Sequence, residues 1–278
     1  MRVMLDGLVL GESTRWHEGR LWFCDWGAGE IVVVEEGEPR VVARIDDLPF
    51  CIDWLPDGRL LVITGRGLLL RREPDGSLVT HADLTDLGGG FPWNDIAVDS
   101  RGRAYVNNIG FTFPGGEPAP GLIAVVHPDG TARRVADGVM FPNGMAVTPD
   151  DRTLIVAESY AARLTAFAIG ADGSLGERRT WASVGTGAPD GICIDAEGAV
   201  WYADVPNQRC VRVREGGAVL RTVELDRGGF ACALGGPDRT TLFITAATWQ
   251  GMTEPEMVAP GSGQVLAVQV DVPGAGWP

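Results

Sequence analysis

The chain contains no lysine, so all 23 of its basic side chains are arginines, and against 37 acidic residues they leave a formal charge of −14. No basic cluster offsets that excess. A phosphate backbone would be repelled, which argues against nucleic acid as a partner, whereas locally concentrated carboxylates suit a cation. Histidine is almost as scarce, with three copies, His17, His81 and His127. Each sits in a loop, a turn or between strands, and no H-E-x-x-H helix, G-x-S-x-G elbow or glycine-rich phosphate loop is present. Ser13 follows Glu12, but no base is evidently placed for it. The five cysteines, Cys24, Cys51, Cys193, Cys210 and Cys232, are an odd set without a C-x-x-C pair. Most lie in apolar runs, as buried reduced thiols of a cytosolic protein do. No apolar run approaches the ~20 residues a membrane span needs. Met1–Asp6 opens no apolar stretch of the kind that marks a secretory signal. The expectation is a cytoplasmic protein that acts on a small molecule, away from membranes.

What is abundant is turn chemistry and aromatic surface: 39 glycines, 18 prolines, nine tryptophans and nine phenylalanines in 278 residues. That composition suits many short strands. A short turn followed by an alternating apolar strand recurs six times, at Gly19, Gly58, Gly102, Asp151, Gly198 and Arg239, at intervals of 39 to 49 residues. A second strand follows each turn unit, for example Ile31–Val34 or Leu122–Val126. A third often follows that, as at Arg40–Ile45 and Ala132–Ala136. Repeats of this size with no 3.6-residue apolar stripe predict an all-β, six-bladed propeller filling residues 1–278 as one domain. The sixth repeat lacks its outermost strand near Val272. The N-terminal Arg2-Val3-Met4-Leu5-Asp6-Gly7 resembles Arg134-Val135-Ala136-Asp137-Gly138, an internal outer strand, and is expected to complete the last blade and close the ring.

Seven or eight positions before each turn stand Glu12, Cys51, Asn94, Asn143, Asp190 and Cys232. In a propeller the first strand of each blade lines the channel, so one phase on six blades predicts a ring around the axis. Four of the positions carry carboxylate or carboxamide oxygens, the ligands of a hard divalent cation, with Ca²⁺ the best match. The ring lacks imidazole, which disfavours Zn²⁺, although Cys51 and Cys232 keep it open. Taken singly, Pro142-Asn143-Gly144 and Pro189-Asp190-Gly191 each look like an ordinary turn. Four polar residues at one phase of a repeat point the other way. Asp95 is read equally as support for the ring or as a turn carboxylate.

These residues also carry a family resemblance. Gly11-Glu12-Ser13, Asn94-Asp95, Phe141-Pro142-Asn143-Gly144, Thr148-Pro149-Asp150 and Pro189-Asp190-Gly191-Ile192-Cys193-Ile194-Asp195 resemble the gluconolactonase / senescence marker protein / luciferin-regenerating enzyme family over essentially the whole chain. The resemblance implies a six-bladed propeller holding a Ca²⁺-type ion, replaced by Zn²⁺ or Mn²⁺ in some members. It implies Glu12, Asn143 and Asp190 as ligands, Asn94 at the metal or the substrate, and Asp190 as general base, or as nucleophile in related phosphofluoridate hydrolases. Sugar-lactone-hydrolysing relatives carry an arginine two residues before the equivalent of Asn94, where this chain has Pro92. Around it, Phe91 and Trp93 are aromatic, and Phe50, Phe141, Phe230 and Trp16 flank other ring positions. Each aromatic alone is better explained by packing between blades. Together with the missing arginine they disfavour sugar lactones.

The expected reaction is therefore opening of a lactone or similar ester more apolar than a sugar lactone, the metal polarising the carbonyl and Asp190 acting as general base. The same site also suits an isomerase, cyclase or dehydratase, or phosphotriester hydrolysis. A reading of another class is a non-catalytic propeller with a structural metal and a protein-binding face.

Overall fold

In the computed structural model, which describes residues 1–251 and 257–276, the turns between short apolar runs reverse the chain into six four-stranded antiparallel sheets. The innermost strands are Gly11–His17, Phe50–Trp54, Trp93–Val98, Pro142–Val147, Pro189–Ile194 and Gly228–Gly235. Each touches the innermost strand of both neighbouring blades, and so they close a ring around a central channel. The second strands, Arg20–Asp25, Leu60–Thr64, Ala104–Asn108, Thr153–Glu158, Val200–Asp204 and Thr241–Ala247, follow the six turns recognised in the sequence. Third and fourth strands complete each sheet outward. In the last blade the outer position is taken by the N-terminal strand Arg2–Leu8, which pairs antiparallel with Gly263–Gln269 and hides the seam, as the sequence predicted.

The core is distributed between blades, because each sheet buries one face against the next. Ile155, Trp181, Ile192 and Tyr202 fill the space between the fourth and fifth blades. Tyr105, Ile123, Met145 and Phe167 fill that between the third and fourth. Fully burying side chains of this kind contributes about 1.5–3 kcal/mol each. Among the described residues no helix is long and apolar enough to cross a membrane.

Two features of the sequence set how closely the inner strands approach. Gly144 and Gly191, which looked like turn glycines, lie inside strands. An added Cβ on Gly144 would sit 2.5 Å from the Asp190 carbonyl oxygen, and one on Gly191 would sit 2.6 Å from Ala231 Cα. Only glycine permits that contact next to Asn143 and Asp190.

In four of the blades a second polar position, at the end of the second strand, anchors the segment that enters the inner strand. Asp25 accepts the amides of Val9 at 3.1 Å and Leu10 at 3.0 Å. Glu158 accepts that of Met140 at 2.7 Å, and Asp204 that of Ala188 at 3.0 Å. Asn108 works in reverse, its Nδ2 donating to the Phe91 carbonyl at 2.6 Å.

Candidate active site

At one end of the channel Glu12, Asn94, Asn143 and Asp190 line a common cavity of about 200 Å³. Each is the second residue of its inner strand. Their convergence has a local cause. In these blades the pairing of inner and second strand is irregular at or just after the ring residue, between Glu12 and Arg15, Trp93 and Ile96, Pro142 and Met145, and Pro189 and Ile192. Such bulges re-aim side chains and are common beside functional sites. Ser13 holds a φ of 49° at the first of them, and its hydroxyl accepts the Ile52 amide at 2.9 Å, tying the first blade to the second.

The other two ring positions behave differently. The second blade pairs without a bulge, and Cys51 is buried outside the cavity lining. In the sixth blade the irregularity falls between Gly229 and Ala231, so that Phe230 reaches the cavity while Cys232 lines a separate cavity at the opposite end with Cys193, Arg15 and Asp53. The thiols kept in view for zinc thus stand outside the cavity shared by the four oxygen-bearing residues.

Hydrogen bonds hold the carboxamides. Asn94 Nδ2 donates to Asn143 Oδ1 and to the Pro142 carbonyl, each at 3.3 Å. Asn143 Nδ2 donates to Ser159 Oγ at 3.4 Å, and Ser159 in turn donates to the Pro189 carbonyl at 2.7 Å. Asp95 supports the ring from the side. Its Oδ1 meets Arg15 at 3.1 Å and its Oδ2 accepts the Met145 amide at 2.8 Å.

Glu12 and Asp190 are buried acids with little to offset their charge. Burial raises the Asp190 pKa well above the usual carboxylate range, and the charges of Glu12 and Asp95 raise it further. Glu12 is raised chiefly by burial, against the lowering effect of the Ser13 amide at 3.2 Å. Asp190 Oδ1 is buried without a hydrogen-bond partner. A cation between these groups would favour both ionised forms and use that oxygen. The donor set, two carboxylates and two carboxamides, suits a hard dication. Among the described residues no three His, Cys, Asp or Glu side chains are grouped to hold a metal ion. A site here therefore has to draw on the asparagine oxygens.

The remaining walls are largely apolar. Phe141 lies 5.5 Å from Phe111, 5.4 Å from Phe113 and 4.7 Å from Tyr160 by ring centroids. Phe230 stands 5.9 Å from Trp249. Of these, Phe113, Phe141, Tyr160, Phe230 and Trp249 line the cavity, and among the described residues no Arg or His does. Of the aromatics expected at the channel mouth, the structure brings Phe141 and Phe230 there and puts the others elsewhere. Trp93 is buried between blades, its indole occupying the space above Gly67 and Gly88, where an added Cβ would lie 2.7 and 2.6 Å from Nε1. Phe50 is buried in the core and Phe91 is exposed to solvent. Trp16 stacks on Phe243 at 5.4 Å beside the opposite cavity. Phe113, Tyr160, Trp249 and Ser159 were not singled out in the sequence, because they come from loops and from the short 3₁₀ helix Ser159–Ala161, which share no phase. The longest repeat interval, between Gly102 and Asp151, was the available sign of the inserted loop that carries Phe113.

Residues 10–248 match the family model described as the SMP-30/gluconolactonase/LRE-like region. A 6-deoxy-6-sulfogluconolactonase from Pseudomonas putida is 28% identical, over 97% of this chain and 94% of its own. A pentonolactonase from Haloferax volcanii is 29% identical, over 90% and 86%. Among solved structures, regucalcin from Agrobacterium tumefaciens, described as a calcium-binding protein, superposes with a TM-score of 0.83 at 22% identity, over 100% of this chain and 96% of that one. At that identity the likeness speaks for the fold.

Proposed function

The chain belongs to the SMP-30/gluconolactonase/LRE-like family, and on that premise we propose that it is a cation-dependent hydrolase, acting as one catalytic domain, that opens a lactone or similar ester more apolar than a sugar lactone. The relatives with lactonase names support the reaction class. The observation that carries the reading is the convergence of Glu12, Asn94, Asn143 and Asp190 on one cavity, with Asp190 Oδ1 buried and unpartnered.

Those four residues would hold the cation, Ca²⁺ first by its preference for oxygen, with Zn²⁺ or Mn²⁺ as substitutes. When bound, it supplies Lewis-acid polarisation of the substrate carbonyl, worth several kcal/mol. Asp190 is the general base, its Oδ1 taking a proton from the attacking water, a role typically worth about 10²–10⁴-fold. The amide nitrogens of Asn94 and Asn143 are engaged by Pro142, Asn143 and Ser159, which orients Asn94 Oδ1 and the second lone pair of Asn143 Oδ1 for the cation and substrate. Phe141, Phe230 and Trp249 hold the substrate body and exclude water.

The same walls argue for an apolar substrate. Each sugar hydroxyl buried against them without a partner costs about 1–3 kcal/mol, so three such groups give about a hundredfold penalty or more. The test is a panel of apolar γ- and δ-lactones beside gluconolactone, with chelator and after restoring Ca²⁺. Apolar lactones are expected to turn over at least a hundredfold better, and only with the cation. Turnover that survives exhaustive chelation would remove the cation from the reading, and gluconolactone as best substrate would remove the apolar preference.

A further inference from the structure

Beside the channel cavity lies a second cavity of about 320 Å³. The two share Leu10, Trp26, Phe113 and Met257 as a common wall. Beyond that wall the second cavity is built from Val9, Leu48, Pro49, Pro114, Val258 and Pro260. Among the described residues none of its lining side chains is charged, and the one strong side-chain donor among them, the Trp26 indole N–H, is already bonded to the Phe50 carbonyl at 2.6 Å. Leu48 holds its side chain at the rim, 55% exposed.

Size and charge point to the same occupant. Small-molecule sites usually enclose about 300–1,000 Å³; the channel cavity, at about 200 Å³, falls short alone and reaches that range only with its neighbour. Among the described residues no Arg or His lines either cavity, so no basic side chain there offers a counter-charge to a carboxylate, sulfonate or phosphate.

We propose that the second cavity is a subsite for a neutral alkyl tail, and that the substrate class is an alkyl-substituted lactone. Its ring sits over Glu12, Asn94, Asn143 and Asp190, and its tail passes Trp26 and Met257 toward Leu48. The proposal rests on the lactone-opening reading of the channel site. The lining that the two cavities share, Leu10, Trp26, Phe113 and Met257, assigns the apolar surface to the substrate rather than to a protein partner.

The test is kcat/KM for γ-lactones whose alkyl substituent grows from methyl to decyl, measured on the full chain with Ca²⁺. Values are expected to rise about fourfold per methylene, in line with the burial of one CH₂, and to level off once the tail outgrows the cavity. Leu48→Glu and Pro260→Glu, both at exposed rim positions, are expected to cut the decyl-to-methyl ratio at least tenfold. A ratio independent of chain length, or unchanged in both variants, overturns the proposal. If no lactone is opened under any cation condition, the hydrolytic reading fails by itself. The subsite is then judged by calorimetric binding of 5-alkyl-2-pyrrolidinones, lactams that resist hydrolysis. Affinity that rises with chain length and weakens in Leu48→Glu upholds it; affinity indifferent to length overturns it.

Discussion

Most blades carry two polar positions at the same end of neighbouring strands, and the molecule treats them oppositely. Asp25, Asn108, Glu158 and Asp204, at the ends of second strands, pair in register with Gly11, Trp93, Pro142 and Pro189. The next residues along the inner strands are Glu12, Asn94, Asn143 and Asp190. The outer set is satisfied. Its side chains bond the backbone entering each inner strand, and Arg163, Arg178 and Arg209 complete the pairing of Glu158 and Asp204. The inner set is left short. Glu12 accepts the amide of its own neighbour, and Asp190 Oδ1 accepts nothing. Burial is similar in the two sets, since Glu158 and Asp204 are 0% exposed and Glu12 and Asp190 only 6% and 8%. Partnering, not burial, therefore separates carboxylates that hold the fold from carboxylates held ready for a ligand.

The contrast is broken most directly at Asp190. Asp190→Asn keeps an oxygen but accepts no proton at neutral pH, so kcat is expected to fall about 10²–10⁴-fold with cation restored. Thermal stability without added cation is not expected to fall, because the amide replaces a buried acid whose Oδ1 has no hydrogen-bond partner to lose. Near-normal kcat in that variant would send the search for the base elsewhere.

The mirror experiment is Glu158→Gln, expected to cost about 1–3 kcal/mol of stability and to leave kcat of the folded enzyme within a few-fold. Its effect depends on pH with a definite sign. Burial alone would raise the Glu158 pKa, but the Arg163 ion pair, the Met140 amide and the Thr165 hydroxyl outweigh it and hold it below the ordinary value. A carboxylate depressed in the folded state stabilises fully above its unfolded pKa of about 4.3, and that contribution is lost as pH falls through the folded value. Denaturant unfolding from pH 7 to 3 is expected to show the difference between wild type and variant shrinking toward acid. A constant difference would contradict the assignment.

The smallest effect is expected at Phe91, whose side chain is exposed and outside the cavity. Phe91→Ser is expected to change stability by less than about 0.5 kcal/mol and to leave lactone kcat/KM nearly unchanged. A tenfold loss would return the Phe91-Pro92-Trp93 segment to the substrate site.

How much of this was legible in the sequence follows from periodicity. The blades, the closing N-terminal strand and the common phase of Glu12, Asn94, Asn143 and Asp190 recur at fixed offsets from turns, and repetition makes each visible. The displacement of Cys232 by Phe230 was not legible, because one bulge residue shifts the facing of a strand while leaving its composition unchanged. The aromatic walls were only half legible. Phe141 and Phe230 flank ring positions, but Phe113 and Trp249 come from loops whose course no repeat dictates. Trp93 was drawn to the site by its neighbour Asn94, although successive strand residues point to opposite faces. The anchoring set also repeats, yet acids and an asparagine at strand ends pass for ordinary turn residues until their backbone partners are seen.

The central claim, that the under-partnered inner set exists to hold a cation, is tested most directly by elemental analysis after exhaustive dialysis against Ca²⁺-containing and then metal-free buffer. Wild type is expected to retain one divalent ion per chain, Glu12→Gln to lose most of it, and Asp25→Asn, altered in the satisfied set, to keep it. Metal content well below one per chain in wild type, and unchanged in Glu12→Gln, would contradict the account.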